Sequence, residues 1–213
     1  MNDSKNSFDE PSRSGTPKVR EEAALAELDR PDLRLRRRRR LLSELRRVGG
    51  GRSVEALRAN LYHPDLKSKT GSVLALCEIR TDGAVDALSE FVRVQNGPPF
   101  ALAVHSLGVA HAQRAMPELI EILERRGREL SQGDKRVVIQ ALARMPHRSE
   151  VPVLSAMLTE RSFLTRRVAA MALSSIRAPE SRAALREAAK SLSWLAGLPV
   201  RREISRSGDE SND

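Results

Sequence analysis

The sequence predicts an all-α protein, an α-solenoid of about five helical hairpins with mobile termini. Only 3% of its 213 residues are aromatic against 40% hydrophobic, so the apolar positions fall to Leu, Ala, Val, Ile and Met, which favour helix or pack readily in helical layers. One register of apolar positions returns at intervals of 31, 31, 35 and 31 residues, a period that belongs to helical repeat arrays and not to coiled-coil heptads. Turn-forming residues fall between the apolar stripes of that register.

Residues 1–16 are rich in Ser, Asn, Asp, Gly and Pro, with Phe8 the one large apolar side chain. Ordering them would bury too little to offset the lost entropy, which predicts a disordered tail. Residues 17–30 read as a short capping helix, with Thr16 as N-cap, Pro17 in the first turn, and Leu25 and Leu28 placed to cover the open end of the first hairpin. The repeat array is expected over 33–203, and 204–213 form a second disordered tail.

The register is anchored on Leu45, Leu76, Leu107, Leu142 and Leu173, and twelve residues after them stand Leu57, Leu88, Leu119, Leu154 and Leu185. Three before the anchors are Leu42, Val73, Val104, Ile139 and Ala170, and three after are Val48, Ile79, Ala110, Met145 and Ile176. This spacing makes one stripe of a first helix. Nine after come Val54, Val85, Met116, Val151 and Arg182, and sixteen after Leu61, Val92, Leu123, Leu158 and Ala189, the stripe of a second helix; Arg182 alone breaks it. Gly49–Gly51, Asp82 with Gly83, Pro146 and Pro179 mark the turns, and Pro117 and Pro152 suit the first turns of second helices. The longer interval holds LERRGRELSQG at 123–133, a local insertion expected at a rim, with room to extend the second helix of the third hairpin by about one turn.

The segments at 165–189, TRRVAAMALSSIRAPESRAALREAA, and 134–158, DKRVVIQALARMPHRSEVPVLSAML, resemble HEAT-like repeats of the kind first recognised in phycobilin lyases. In that family a short repeat opens with an arginine near a valine, followed by Ala-rich apolar residues and a leucine. Arg136 with Val137 and Arg167 with Val168 hold that place here, whereas the third hairpin has Ala101 and Leu102 and the second Thr70 and Gly71. The resemblance spans about residues 33–197 and implies a helical solenoid. Such repeats serve as protein-binding scaffolds, as chromophore lyases and, in one branch, as DNA glycosylases acting on alkylated purines. The repeat is architectural and carries no reaction of its own.

Catalytic chemistry finds little footing. A glycosylase groove needs aromatics beside a placed carboxylate, yet Tyr62 and Trp194 lie about four repeats apart. Cys77, as the one cysteine, excludes an intramolecular disulfide and a thiolate metal cluster and fits a reducing cytoplasm. It stands one residue after an anchor leucine, the place of a small buried or half-buried thiol. His63, His105, His111 and His147 have no zinc-site spacing, and three of them fall at turns. Gly49–Arg52 lacks the Lys and Ser/Thr of a phosphate loop. No metal, cofactor or catalytic residue is expected, and no stretch has the length or apolarity of a membrane span.

The net charge of +9 is concentrated at one end: ten arginines stand against Asp32 and Glu44 between Arg30 and Arg52. Arg34, Arg36, Arg37, Arg39, Arg40, Arg46 and Arg47 are the candidate contacts for an anion or a partner. Two readings of the run stand side by side, an anion-binding end and a polar cap on the terminal repeat. Exposed positions on the second helices are mixed in sign, as in Glu121, Arg125, Glu160 and Arg186. A groove tracking a phosphate backbone would be uniformly positive. The expected function is therefore a non-catalytic, cytoplasmic interaction or scaffold module that holds a protein partner. A nucleic-acid-binding protein anchored by the basic N-terminal helix is the alternative, and a HEAT-like glycosylase or chromophore lyase a distant one.

Overall fold

A computed structural model describes residues 16–30, 32–192 and 197–209, and every regular element among them is a helix. All but the last residue of the expected N-terminal tail, the end of the C-terminal one, and Trp194 lie outside the described residues. The chain divides into two compact units, residues 1–79 and 80–213.

In the first unit α1 spans Pro17–Leu28, α2 Leu35–Val48, α3 Val54–Asn60 and α4 Leu66–Ile79. Helix α2 packs against both α1 and α4, and α3 against α4. Thr16 is extended and Pro17 opens α1, where a missing amide proton costs nothing. The helix ends at Leu28, two residues short of the expected segment, and it buries Glu21, Ala24 and Leu28 while Leu25 stays half-buried. Glu21 is the unforeseen member: its Oε1 accepts from the Gly50 amide at 2.8 Å and the Ser53 hydroxyl at 2.6 Å. A carboxylate from α1 thus satisfies the donors of the glycine turn that leads into α3.

In the second unit α5 spans Asp82–Val94, α6 Pro98–Val109, α7 Met116–Arg126, α8 Gln132–Ala143, α9 Val151–Met157, α10 Phe163–Ser175, α11 Pro179–Ser191 and α12 Leu198–Asp209. Two layers form: α6, α8, α10 and α12 pack in succession, and α5, α7, α9 and α11 do likewise. Ten helices of the chain occupy the places of the five expected hairpins, and the five anchor leucines with their partners twelve residues on are all buried.

Several boundaries differ from the sequence reading. Asp82, Gly83 and Pro179 begin second helices instead of occupying the turns, which fall at the residues just before them. Arg80, His111 and Arg177, each four residues after an anchor leucine, take the left-handed conformation there, with φ of 53°, 50° and 52°. The insertion does not lengthen α7: it stops at Arg126, and residues 127–130 form a turn that buries Leu130. Arg126 instead reaches back to the end of α5, donating to the Val92 and Gln95 carbonyls and to Asn96. The C-terminal tail expected from 204 is helical through Asp209, because α12 packs on α10 and α11 as a further first helix, with Val200 and Glu203 buried.

Eight residues after the anchors stand Ser53, Ala84, Ala115, Glu150 and Ser181, all buried. Four are small. Glu150 is the exception, fully buried with neither carboxylate oxygen in a well-formed hydrogen bond among the described residues, and burial, opposed only weakly by the His147 backbone, pushes its carboxyl up to about 8.

Two stability measurements probe this packing. Helix α6 meets α8 at Gly108, where an added Cβ would sit 2.7 Å from Ala141 Cα. Gly108→Ala is expected to cost about 1–3 kcal/mol of overpacking, whereas Gly51→Ala, with nothing within 4 Å of an added Cβ, changes little; urea denaturation of the two variants checks this. For Glu150 the folded carboxyl titrates above its unfolded value of 4.5. Below that value both states are protonated. As pH rises to about 8 the folded chain keeps a proton that the unfolded chain releases, and stability falls by up to about 1 kcal/mol per pH unit. Glu150→Ala, the residue type of Ala84 and Ala115, removes that fall, so melting curves from about pH 5 to 9 show a stabilisation that widens with pH.

Candidate functional site

The arginine run lies on α2, and the packing of α1 and α4 against that helix decides what its charges meet. Arg37 pairs with Glu27 of α1 through Nε at 2.5 Å and Nη2 at 2.6 Å. This hydrogen-bonded pairing holds the Glu27 carboxyl below its ordinary range, against the opposing effect of its burial. Arg39 makes the same two-pronged contact with Asp65, at 3.1 and 2.5 Å. Asp65 also caps α4, accepting from the Ser68 amide at 2.8 Å and the Ser68 hydroxyl at 2.7 Å. The Arg39 bond, then the Ser68 bonds, drive the Asp65 carboxyl far below the usual carboxylate range, and Asp65 in turn raises Arg39.

Arg46 pairs with Glu78 at 3.2 Å, Arg47 with Glu44 at 2.5 Å, and Arg20 of α1 also reaches Glu44 at 3.3 Å. The seven candidate arginines therefore separate into two sets. Arg37, Arg39, Arg46 and Arg47 are bound to carboxylates of the unit itself. Arg34, Arg36 and Arg40 make no ion pair among the described residues; Arg34, Arg36 and Arg40 are all exposed. The sequence reading weighed Glu44 and Asp32 as partners and missed Glu27, Asp65 and Glu78, which come from other helices. A local signal existed for one of them, since Pro64–Asp65 with Ser68 three residues on is an N-cap pattern.

Arg38 lies between these pairs and meets no carboxylate among the described residues. Its Nη1 donates to Asn60 Oδ1 at 3.0 Å and its Nε is buried without a partner. It faces a cleft of about 280 Å³ lined by Leu28, Asp29, Asn60, Tyr62 and His63.

Among the described residues of the second unit the buried cations are Lys135 and Arg166, whereas Arg136 is half-buried and Arg167 exposed. The buried cation of each of these two repeats thus stands one residue before Arg136 and Arg167. Seven residues before the anchor is two helical turns, the side that faces inward with Ala169, Ala170 and Leu173. Lys135 pairs with Glu160 at 2.6 Å, and Arg166 donates to the Glu160 and Arg161 carbonyls at 2.7 and 2.9 Å. Desolvation would raise the Glu160 carboxyl, but Lys135 and the other donors hold it below its ordinary value.

A second, more open cleft of about 570 Å³ lies where α6 and α8 begin, lined by Pro98, Ala101, Arg136, Val137 and Gln140 among others. Ten residues before their anchors, Leu35, Leu66 and Phe163 are 46%, 53% and 46% exposed at the starts of α2, α4 and α10. Leu164 is exposed beside Phe163.

Three of the four histidines serve turns. His63 Nδ1 accepts from the Asp65 amide, His147 Nδ1 from the Ser149 amide, and His111 Nδ1 meets the Arg144 carbonyl at 2.7 Å. Among the described residues no three His, Cys, Asp or Glu side chains are grouped so as to hold a metal. No helix among them is long and apolar enough to cross a membrane.

Two layers of short helices in a fixed register define an α-helical repeat protein. Residues 116–195 match the family model for HEAT repeats. Among solved structures it is similar to a designed armadillo repeat protein, at 13% identity and a TM-score of 0.48, covering 87% of this chain and 98% of that one. It is also similar to the complex of CpcE and CpcF of phycocyanin lyase from Nostoc sp. PCC7120, at 19% identity and a TM-score of 0.45, with 90% and 85% covered. Human deoxyhypusine hydroxylase gives 16% identity and a TM-score of 0.40 over 91% and 96%. No curated protein matches the sequence.

The Arg39–Asp65 pair makes a prediction of sign and place. Because Asp65 titrates below its unfolded value in the folded chain, its contribution to stability is complete above the ordinary carboxylate range and is lost as pH falls through that range toward the depressed value. In a carboxyl carbon NMR titration Asp65 stays ionised where other aspartates protonate, and Arg39→Gln returns it toward them.

Proposed function

We propose that this chain is a non-catalytic interaction module that holds a protein partner through its helical surface, acting in the reducing cytoplasm that a single cysteine suits. One observation carries the reading: Leu35, Leu66 and Phe163 hold the same register position and leave their apolar side chains exposed, although the core columns beside them are buried. Within the first unit Leu35 and Leu66, and within the second Phe163 with Leu164, set large apolar side chains in water, which a binding surface uses and a solvated rim does not. In the second unit Phe163 and Leu164 lie on α10, which packs on α8, and α8 helps form the open cleft with Pro98, Ala101 and Val137. Apolar contacts rimmed by Arg136 and Gln140 have the make-up of a protein interface.

Polyanion binding through α2 is the second reading, and Arg34, Arg36 and Arg40 favour it. The four carboxylate-bound arginines do not, since the charge of each is already matched by a partner within the unit.

A photoreactive phenylalanine analogue placed at Phe163 in the full chain tests the first reading against the second. The expected result is a discrete protein adduct that survives nuclease and about 0.5 M salt, that is absent when the analogue replaces exposed Glu187, and that drops about tenfold with Leu164→Ser. No adduct at Phe163, together with duplex DNA binding whose steep salt slope is lost in an Arg34, Arg36, Arg40→Gln variant, overturns the reading.

A further inference from the structure

Arg38 and Arg166 occupy the same place in their repeats, seven residues before Leu45 and Leu173. Arg166 directs its Nη1 at two carbonyls, those of Glu160 and Arg161, in the loop just before its own helix. The chain leading into α2 offers Arg38 no such acceptor among the described residues. Its Nη1 bond runs to Asn60 Oδ1, and its Nε is buried and unpartnered. Arg37 and Arg39 on either side hold carboxylates with both prongs of the guanidinium. Arg38 is therefore a half-buried cation at the edge of a cleft with no carboxylate partner among the described residues, and because its Nε lies out of reach of a ligand, an acceptor in the cleft would meet the outer side of the guanidinium.

The lining says which acceptor suits. Asn60 is fixed, because its Nδ2 donates to the Ser72 hydroxyl at 2.6 Å and so turns Oδ1 toward Arg38. His63 accepts the Asp65 amide at Nδ1, which in the neutral ring leaves its proton on Nε2 as a further donor. Leu28, Ala56 and the Tyr62 ring give the cleft an apolar wall. Asp29 lines it as well; its negative charge opposes any anion, but a doubly charged phosphate about twice as strongly as a singly charged carboxylate. A planar, singly charged carboxylate on a short apolar stem matches the guanidinium fork and the wall together.

We propose that this cleft takes the carboxylate of a glutamate side chain presented by a protein partner, with Arg38 as its ion-pair donor and Leu28 and Tyr62 against its methylene stem. The proposal rests on the protein-binding reading and names one anchor of the partner.

The test follows the Arg38 Nε–H resonance in the labelled full chain. The probes are an acetylated, amidated five-residue peptide with a central glutamate flanked by alanine and leucine, the same peptide with glutamine, and inorganic phosphate. Expected is a saturable shift with the glutamate peptide, at least about tenfold weaker binding of the glutamine peptide, and no shift with phosphate. Arg38→Gln abolishes the binding. Ala59→Leu, at a residue of the cleft wall, weakens it with unchanged helix content, which keeps the test decisive should Arg38→Gln fail to fold. Arg36→Gln, remote from the cleft lining, leaves it intact. Equal binding of the two peptides, a shift with phosphate alone, or no saturable shift overturns the proposal. An adduct at Phe163 without peptide binding at Arg38 overturns the cleft alone and leaves the protein-binding reading standing.

Discussion

Helices of seven to fourteen residues cannot hold themselves together in water, since isolated helices of that length are marginal even with good propensities. Each one here must bury a stripe against neighbours, and the anchor leucines fix where. Leu45, Leu76, Leu107, Leu142 and Leu173 are at most 1% exposed, and each contributes about 1.5–3 kcal/mol by leaving water. Their partners on the second helices are buried as well. Gly108 belongs to the same constraint, because α6 and α8 approach until only a hydrogen fits between them. The left-handed residues do too: Arg80, His111 and Arg177 accept an unfavourable backbone so that the next helix can return to the core.

Once leucine packing sets the spacing, the polar groups caught between layers must be satisfied, and the structure does so across helices. Glu21 serves the turn at Gly50 and Ser53, Asp65 caps α4 while holding Arg39, and Glu160 takes Lys135 beside the two carbonyls held by Arg166. Several of these contacts join residues far apart in sequence, so each of those ties a helix to its neighbour as well as closing a local donor. Glu150 stands outside this pattern, a carboxyl in a column of serine and alanine with no well-formed hydrogen bond among the described residues.

The helices were legible because packing leaves a period, and a period survives in sequence. The five hairpin positions and most of the inward columns could be read from apolar spacing, and the opening prolines of α1, α7 and α9 from their place in it, but the column three residues after the anchors is an exception, with only Met145 buried. The last helix could not: α12 offers only Leu198, Val200 and Ile204 amid charge, and it is helical because α10 and α11 are there to receive it. The partners of the arginine run were illegible for a related reason. Arg37 with Glu27 and Arg39 with Asp65 lie 10 and 26 residues apart, and no local pattern pairs them before the helices are packed. Charge counting saw ten arginines and two acids where packing brings three more carboxylates, those of Glu27, Asp65 and Glu78.

That pairing changes what the basic end means. An arginine cluster that faced water unpaired would raise the local potential and draw polyanions from a distance. Here Glu27, Asp65, Glu78 and Glu44 neutralise much of α2 at contact range, and what remains is sorted by position. Arg34, Arg36 and Arg40 are able to steer an acidic surface but worth little in affinity, as charges near water are. Arg38 is half-buried, with an unmet donor out of water, and a charge in that setting discriminates by geometry far more than by sign. On the proposed reading, long-range attraction and short-range selection fall to different arginines of one helix, and the apolar residues at the starts of α2 and α4, Leu35 and Leu66, add exposed apolar surface to the same unit. An acidic protein segment with apolar neighbours satisfies all three features together, whereas a bare polyanion satisfies only the first.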